Sequence, residues 1–332
     1  MPPHPGRHPR ATDAARDAMK YILGRLLQLI PVLILATGMV FLAGRLAPGD
    51  PAMTKLGPRG GNDPKALAQV RHEMGLDRPL IVQYVLWVRD AVQGDFGVSL
   101  LNGVDTLKIV AGRVPASLEL IFVSLVIALI LSVLLGVRAA TRPGSFADQS
   151  ISSLATGLVS VPTFWVALLL LSIFAVQLRV LPASGYTPFL KDPVGNLRLI
   201  IMPAFSLALA EIGVFTRFVR SGMIEVLGSN YIRAARAKGL RRGRIYLLHA
   251  LKNILVTVIT VVGLEIGALI GGTLLVEQVF GWSGIGWLLF QSIGNRDYAV
   301  LQCIVCLVVI AYVLINLIVD VIYVLVDPRV EL

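Results

Sequence analysis

Long apolar blocks dominate this chain. Stretches at about 21–44, 117–138, 151–177, 199–219, 254–276 and 300–325 are each close to or beyond 20 residues and carry few charges. A helix rises 1.5 Å per residue, so ~20 apolar residues cross a hydrocarbon core of ~30 Å. In lipid every backbone polar group must be satisfied within its own segment or in a closed barrel, so runs of this length are helices. The reading is an all-α polytopic membrane protein with six transmembrane helices and a large external loop after the first. The composition agrees: 56% of residues are hydrophobic and 15% charged, against about 25% charged in soluble domains.

The net charge of +10 is distributed by topology and does not argue for nucleic acid as a partner. Between the fourth and fifth blocks, residues 217–252 hold Arg217, Arg220, Arg233, Arg236, Lys238, Arg241, Arg242, Arg244 and Lys252 against the single acid Glu225. Basic loops stay on the cytoplasmic side. Arg138 and Arg142 mark the second-to-third connection in the same way. With six spans, both termini are then cytoplasmic. The tail 1–20, with Arg7, Arg10, Arg16 and Lys20, agrees with that orientation. The tail has no secretory core. Residues 1–18 read as a disordered extension or as sequence preceding a start at Met19.

Residues 21–116 comprise the first span and its external loop. In that loop Asp63-Pro64 is a helix-start signal, followed by apolar Leu67, Val70 and Met74. Arg78-Pro79 opens a second amphipathic pattern through Leu80, Val82, Val85, Leu86 and Val88, ending near Gly94. Pro115, Ser117 and Glu119 mark the start of the second span, and Pro162 and Pro203 predict kinks in the third and fourth. Cys303 and Cys306 read as small apolar residues on one helix face rather than as a metal or redox pair.

Catalytic patterns are missing. The sequence has no Gly-x-x-x-x-Gly-Lys-Ser/Thr phosphate loop. His4, His8, His72 and His249 lack metal-ligand spacing, and no nucleophile sits in a recognisable elbow. The chain reads as a non-enzyme without a cofactor of its own, its energy supplied by a partner or an ion gradient.

Residues 228–253 read GSNYIRAARAKGLRRGRIYLLHALKN. Ser229 or Asn230 can cap a short helix running to Lys238, and Gly239 can supply a left-handed exit. Small Ala234 and Ala235 would let another protein approach closely, flanked by Arg233 and Lys238. The plainer reading is a basic loop that holds topology and touches anionic headgroups.

The spacing Ala-Ala-x-x-x-Gly at Ala234–Gly239 resembles the coupling motif of bacterial ABC importer permeases, with Arg233 where the usual motif has an acid. That departure is similar to the dipeptide/oligopeptide/nickel branch. So are RLAPGDPA at Arg45–Ala52, MGLDRPLIVQYVLWVRDAVQGDFGVSL at Met74–Leu100, the stretch Glu225–Gly239, LVEQVFGWSGIGWLL at Leu275–Leu289, and Arg296-Asp297-Tyr298. Thr257 departs from the branch, which commonly has proline there.

The resemblance implies a type I ABC importer permease domain over 117–330, with the cytoplasmic coupling helix at about 228–252. It implies a second homologous permease subunit, two cytoplasmic ATPases or one fused ATPase that bind ATP and Mg, and an extracytoplasmic substrate-binding protein. Arg233, Ala234, Ala235, Lys238 and Gly239 would contact the ATPase. Substrates would be di- or oligopeptides. Nickel, metallophore or glycan import by the same machinery is the alternative, and a stand-alone secondary transporter the competing class. Glu211 and Glu265 fall near the middles of the fourth and fifth spans. A charge there costs ~2.5–3.5 kcal/mol on insertion scales, which makes both acids candidates to line the translocation path. Protonation, or hydrogen bonds to neighbouring hydroxyls, would also explain them.

Overall fold

In a computed structural model of the chain, residues 63–326 are described throughout, together with 24, 27, 30–42, 44, 45, 52, 53 and 56. The expected tail 1–20 and most of the 21–44 span's first half lie outside the described residues. The described elements are helices and loops, with one isolated antiparallel bridge between Val98 and Asp105.

The described part of the first span is α1 (Ile30–Leu42). The long loop that follows it forms α2 (Pro64–Glu73) and α3 (Leu80–Val92). Both starts follow their sequence signals. Asp63 caps α2, its side chain accepting from Lys65 N, and Pro79 precedes α3. Phe41 of α1 meets Tyr84 edge-on with ring centroids 5.6 Å apart, and Thr37 Oγ1 lies 2.9 Å from the Tyr84 hydroxyl. The loop helix α3 is thereby fastened to the first span.

The helical core consists of α4 (Thr106–Ala111), α5 (Val114–Ala140), α6 (Phe146–Ser160), α7 (Thr163–Leu170, continued by a π-helical turn Leu171–Gln177), α8 (Pro193–Gly228), α9 (Asn230–Ala237), α10 (Leu251–Phe280), α11 (Ile285–Gly294) and α12 (Tyr298–Val326). Among the described residues four helical stretches are long and apolar enough to cross a membrane, or five if the bent pair α6–α7 is one crossing. The segment 21–44 would supply the sixth expected crossing. The expected kink at Pro162 is a bend of 99° between α6 and α7. Val161 takes extended backbone angles, φ −93 and ψ 127, as a residue before proline favours.

The helix α8 is central. In its most apolar window 67% of residues are buried, against 28–33% in the other long crossings. It packs most extensively on α5, whose contact face repeats small residues at every turn: Ser124, Ala128, Ser132, Gly136 and Ala140, all buried. Small faces let helix backbones approach closely in lipid, where packing takes over from the hydrophobic effect. A Cβ on Gly136 would lie 2.6 Å from Val219 Cγ1 and 3.1 Å from the Thr216 carbonyl. On the other side, a Cβ on Gly213 would lie 2.5 Å from the Ala155 carbonyl of α6. Neither position tolerates a side chain without parting the helices. The sequence places Arg217 and Arg220 in the loop 217–252. In the structure α8 continues through both to Gly228. A helix stops where a cap stops it, here at Ser229, and not where its residues cease to be apolar.

At the end of the core opposite α9, buried polar contacts join distant segments. Glu277 at the end of α10 is fully buried. Its carboxylate accepts from Ser117 Oγ at 2.6 Å, Gly286 N at 2.7 Å and Trp287 N at 3.3 Å, while Ile285 N donates to Ser117 Oγ at 2.8 Å. These are the free N-terminal amides of α11, whose own N-cap Gly284 provides no side chain. The Glu277 carboxylate occupies the space that a Cβ on Gly284 would take. Nearby, buried Trp282 donates from Nε1 to the Ala116 carbonyl at 2.9 Å. Asp297 accepts from Ser99 Oγ and from Leu100 N, the latter at 3.2 Å, tying the α3–α4 loop to the start of α12. Two sequence landmarks, Leu275–Leu289 and Arg296-Asp297-Tyr298, are therefore fastenings of the fold.

Glu277→Ala leaves the Ser117 hydroxyl proton and the amides of Gly286 and Trp287 without their acceptor, each at a cost of roughly 1–3 kcal/mol. The thermal midpoint of the detergent-purified chain falls clearly in Glu277→Ala and less in Glu277→Gln, which keeps an acceptor oxygen. Equal midpoints for all three proteins would show that the carboxylate does not hold α11.

Candidate coupling segment and intramembrane acids

The helix α9 follows α8 after one residue. Ser229 adopts φ −70 and ψ 154, which turns the chain, and its side chain accepts from Ile232 N at 3.4 Å. At the other end Gly239 N donates to the Arg236 carbonyl at 2.9 Å and Leu240 N to the Ala235 carbonyl at 3.4 Å. Those two bonds, with Gly239 at φ +74, make a Schellman turn. Leu240 closes it by packing against the cluster that contains Ile232. A residue with a Cβ is strained at that φ, by roughly 1–2 kcal/mol. The glycine is required by backbone geometry, since open space surrounds its missing side chain.

The helix is strongly two-sided. Ile232 is fully buried among Val219 and Met223 of α8 and Ile245, Ala250 and Ile254 of the following segment. The Tyr231 hydroxyl lies 2.7 Å from His249 Nδ1, a second tie to that segment. Five residues stood out in the sequence here. Arg233, Ala234, Lys238 and Gly239 are exposed, whereas Ala235 is 6% exposed and faces the chain's own core. Arg236 and Ala237 are also exposed on the outer surface. The sequence reading passed over them, although they follow Arg233 by three and four positions and so share its face. The result is a short helix, rigidly seated, that presents alanines between cations.

The rest of this basic region is helical too. A turn at Arg242–Arg244 leads through a π-helical stretch, Ile245–Ala250, into α10. The backbone of α10 continues through Thr257 without a break.

Glu211 lies on α8 and Glu265 on α10. The structure brings the two within electrostatic reach of each other. Glu211 is 5% exposed, and its Oε2 has no hydrogen-bond partner among the described residues. Glu265 is half-buried. The contrast with Glu277 is chemical. The Glu277 oxygens are taken up by the amides and hydroxyl of α11 and α5, while Glu211 keeps a buried acceptor unused. Among the described residues no group of three or more His, Cys, Asp or Glu side chains is arranged to hold a metal ion. Cys303 and Cys306 pack with Phe96, Val110 and Leu288 in an apolar cluster.

The start of α6 has its own anchor. Asp148, 2% exposed, accepts two hydrogen bonds from the Arg220 guanidinium, the Nη2 bond at 2.8 Å, and one from Gly144 N at 2.8 Å. A bidentate, charge-assisted pair of this kind fixes both partners in orientation. The start of α6 is thereby held to α8.

Comparison with known proteins agrees with this architecture. A solved chain of the MetNI methionine ABC transporter, in inward-facing conformations, superposes with a TM-score of 0.50 at 22% identity, covering 67% of this chain and 97% of that one. That likeness establishes the fold. A Brucella suis biovar 1 (strain 1330) protein named as a putative peptide transport system permease is 40% identical over 310 residues, covering 93% of this chain and 98% of its own. The glutathione transport system permease protein GsiC of Salmonella paratyphi A is 38% identical over 313 residues, covering 94% and 99%. Residues 18–121 match the N-terminal domain model of binding-protein-dependent transport system membrane components, and residues 132–332 match the model of the inner membrane component itself. The chain belongs to the binding-protein-dependent transport system inner membrane component family.

Proposed function

We propose that this chain is a permease subunit of an ATP-driven importer of small peptides, and that α9 is where a cytoplasmic ATPase docks. The observation that carries the reading is the seating of α9. Its inner face is locked to α8 by Ile232, its start by Ser229, its end by the Gly239 turn. A force applied to its outer surface therefore reaches α8 without loss in a flexible joint. The helix α8 has 36 residues, about 54 Å at 1.5 Å per residue. It extends well beyond a hydrocarbon layer of ~30 Å, and can carry a displacement of α9 to the level of Glu211.

In this reading the basic α9 end is cytoplasmic, which puts both termini in the cytoplasm. A second, homologous permease completes the path, and an extracytoplasmic binding protein delivers substrate. ATP and Mg belong to the ATPases. Peptide as substrate is supported by the names of the relatives, one a peptide and one a glutathione permease. The unpaired oxygen of Glu211, with Glu265 near it, supports an acidic stretch of the path that would receive a peptide ammonium group.

Gly239→Val is expected to leave the permease in the membrane at normal levels, because the strain is local. Recovery of the ATPase with the purified permease should fall severalfold, and substrate-stimulated ATP hydrolysis with it. A Gly239→Val complex that purifies intact and hydrolyses ATP normally would remove α9 from the docking site.

The acids are tested separately. Glu211→Gln and Glu265→Gln, in the assembled complex, should lower peptide uptake while basal ATP hydrolysis persists. Unchanged uptake in both variants would take these residues off the path.

A further inference from the structure

We propose that the groove between α6 and α8 receives the terminal carboxylate of the transported peptide, with Arg217 as the cation that binds it. This rests on the peptide-importer reading above.

The groove is a cavity of about 350 Å³ lined by Ser152, Thr156, Arg217, Phe218, Arg220 and Ser221. Its walls differ in kind from the outward surface of α5. There the residues Leu118, Phe122, Val126, Ile130 and Leu134 recur every fourth position, and all are large and apolar. That is the composition lipid tails require. On α6 the groove is lined by Ser152 and Thr156, and the exposed positions around them are Ser153, Leu154, Gly157, Val159 and Ser160. Ser153, Thr156, Gly157 and Ser160 fall on one face at helical spacing, and a polar stripe at membrane level faces water or protein, not hydrocarbon.

The hydroxyls have a defined polarity. Ser152 Oγ donates to Asp148 Oδ1 at 3.4 Å, Thr156 Oγ1 to the Ser152 carbonyl at 3.0 Å, and Ser160 Oγ to the Thr156 carbonyl at 3.1 Å. Each proton is used within the helix. The oxygen lone pairs remain, so this wall can accept hydrogen bonds from water or from peptide N–H groups.

The opposite wall supplies the donor. Arg220 is held in its bidentate pair with Asp148. Arg217, one turn earlier on α8, is exposed and has no ion-pair partner among the described residues. A free guanidinium next to an already neutralised one gives a groove with one available positive charge and a fork geometry suited to a carboxylate. An acceptor-lined wall facing a single cation matches the end of a peptide, which offers N–H groups beside a carboxylate.

The test uses Thr156→Cys in the complete complex in liposomes; the chain's own Cys303 and Cys306 are buried. Its labelling by an anionic sulfonate thiol reagent is compared with labelling by a neutral reagent of similar size. Labelling by both is expected, with the anionic reagent favoured. Arg217→Gln should reduce that preference about tenfold, the low end of electrostatic recruitment by a charged cleft. Trialanine should protect the introduced thiol from labelling, and trialanine amide should not.

A thiol unreactive to both reagents, or a reagent preference indifferent to Arg217→Gln, would overturn the proposal. So would a preference that follows the anionic lipid content of the liposomes, which would assign Arg217 to headgroups. If the charge preference depends on Arg217 but neither peptide protects, the groove takes an anion and the peptide reading is what fails.

Discussion

Close contact between α5 and α8 is the constraint on which the rest of the molecule depends. In lipid, apolar side chains gain nothing from leaving a surrounding that is already apolar, so helices associate through packing and internal hydrogen bonds. The small face from Ser124 to Ala140 brings α5 against α8. Gly213 does the same for α6. With two neighbours this near, α8 becomes a buried member that extends beyond the apolar layer. Most groups with a candidate role hang on it: α9 at its end, Glu211 in its middle, Arg217 and Arg220 between them.

The polar groups of the core divide by whether their hydrogen-bonding capacity is used. Glu277, Asp148 and Asp297 are buried acids whose oxygens are taken up by amides, hydroxyls or a guanidinium. They hold corners of the fold. Glu211 and Arg217 are ionisable groups of the same long helix with hydrogen-bonding capacity to spare among the described residues. Buried or membrane-level polarity without a partner is costly, and groups of that kind are where a passing substrate would find something to bind. The same division explains why landmarks such as Leu275–Leu289 need carry no substrate specificity: Glu277, Trp282, Gly284 and Gly286 are occupied in joining α10, α5 and α11.

Much of this is legible in the sequence because it is local. Apolar runs announce α5, α8, α10 and α12; Asp63-Pro64 and Arg78-Pro79 announce α2 and α3; Ser229 and Gly239 announce both ends of α9. What is not legible depends on distance or on degree. Proline at 162 predicts a bend, but not that it reaches 99°. Hydropathy ends the fourth span near residue 219, whereas the backbone continues to the Ser229 cap. The inward turn of Ala235 follows from Ile232 being the anchor, since the two share a face three positions apart. Glu277 resembles any acid at a membrane boundary until Ser117, far away in the chain, is found beside it.

The central claim is that the exposed face of α9 meets an ATPase. Cross-linking from Ala234→Cys in the assembled complex tests it most directly. Ala234 is exposed on that face, and Val85 on α3 offers an exposed control at the opposite end. A short cross-linker at Ala234→Cys should capture the ATPase subunit, and the same reagent at Val85→Cys should not. Capture of the ATPase from position 85, or failure to capture it from position 234 in a complex that hydrolyses ATP, would contradict the docking of the ATPase on α9.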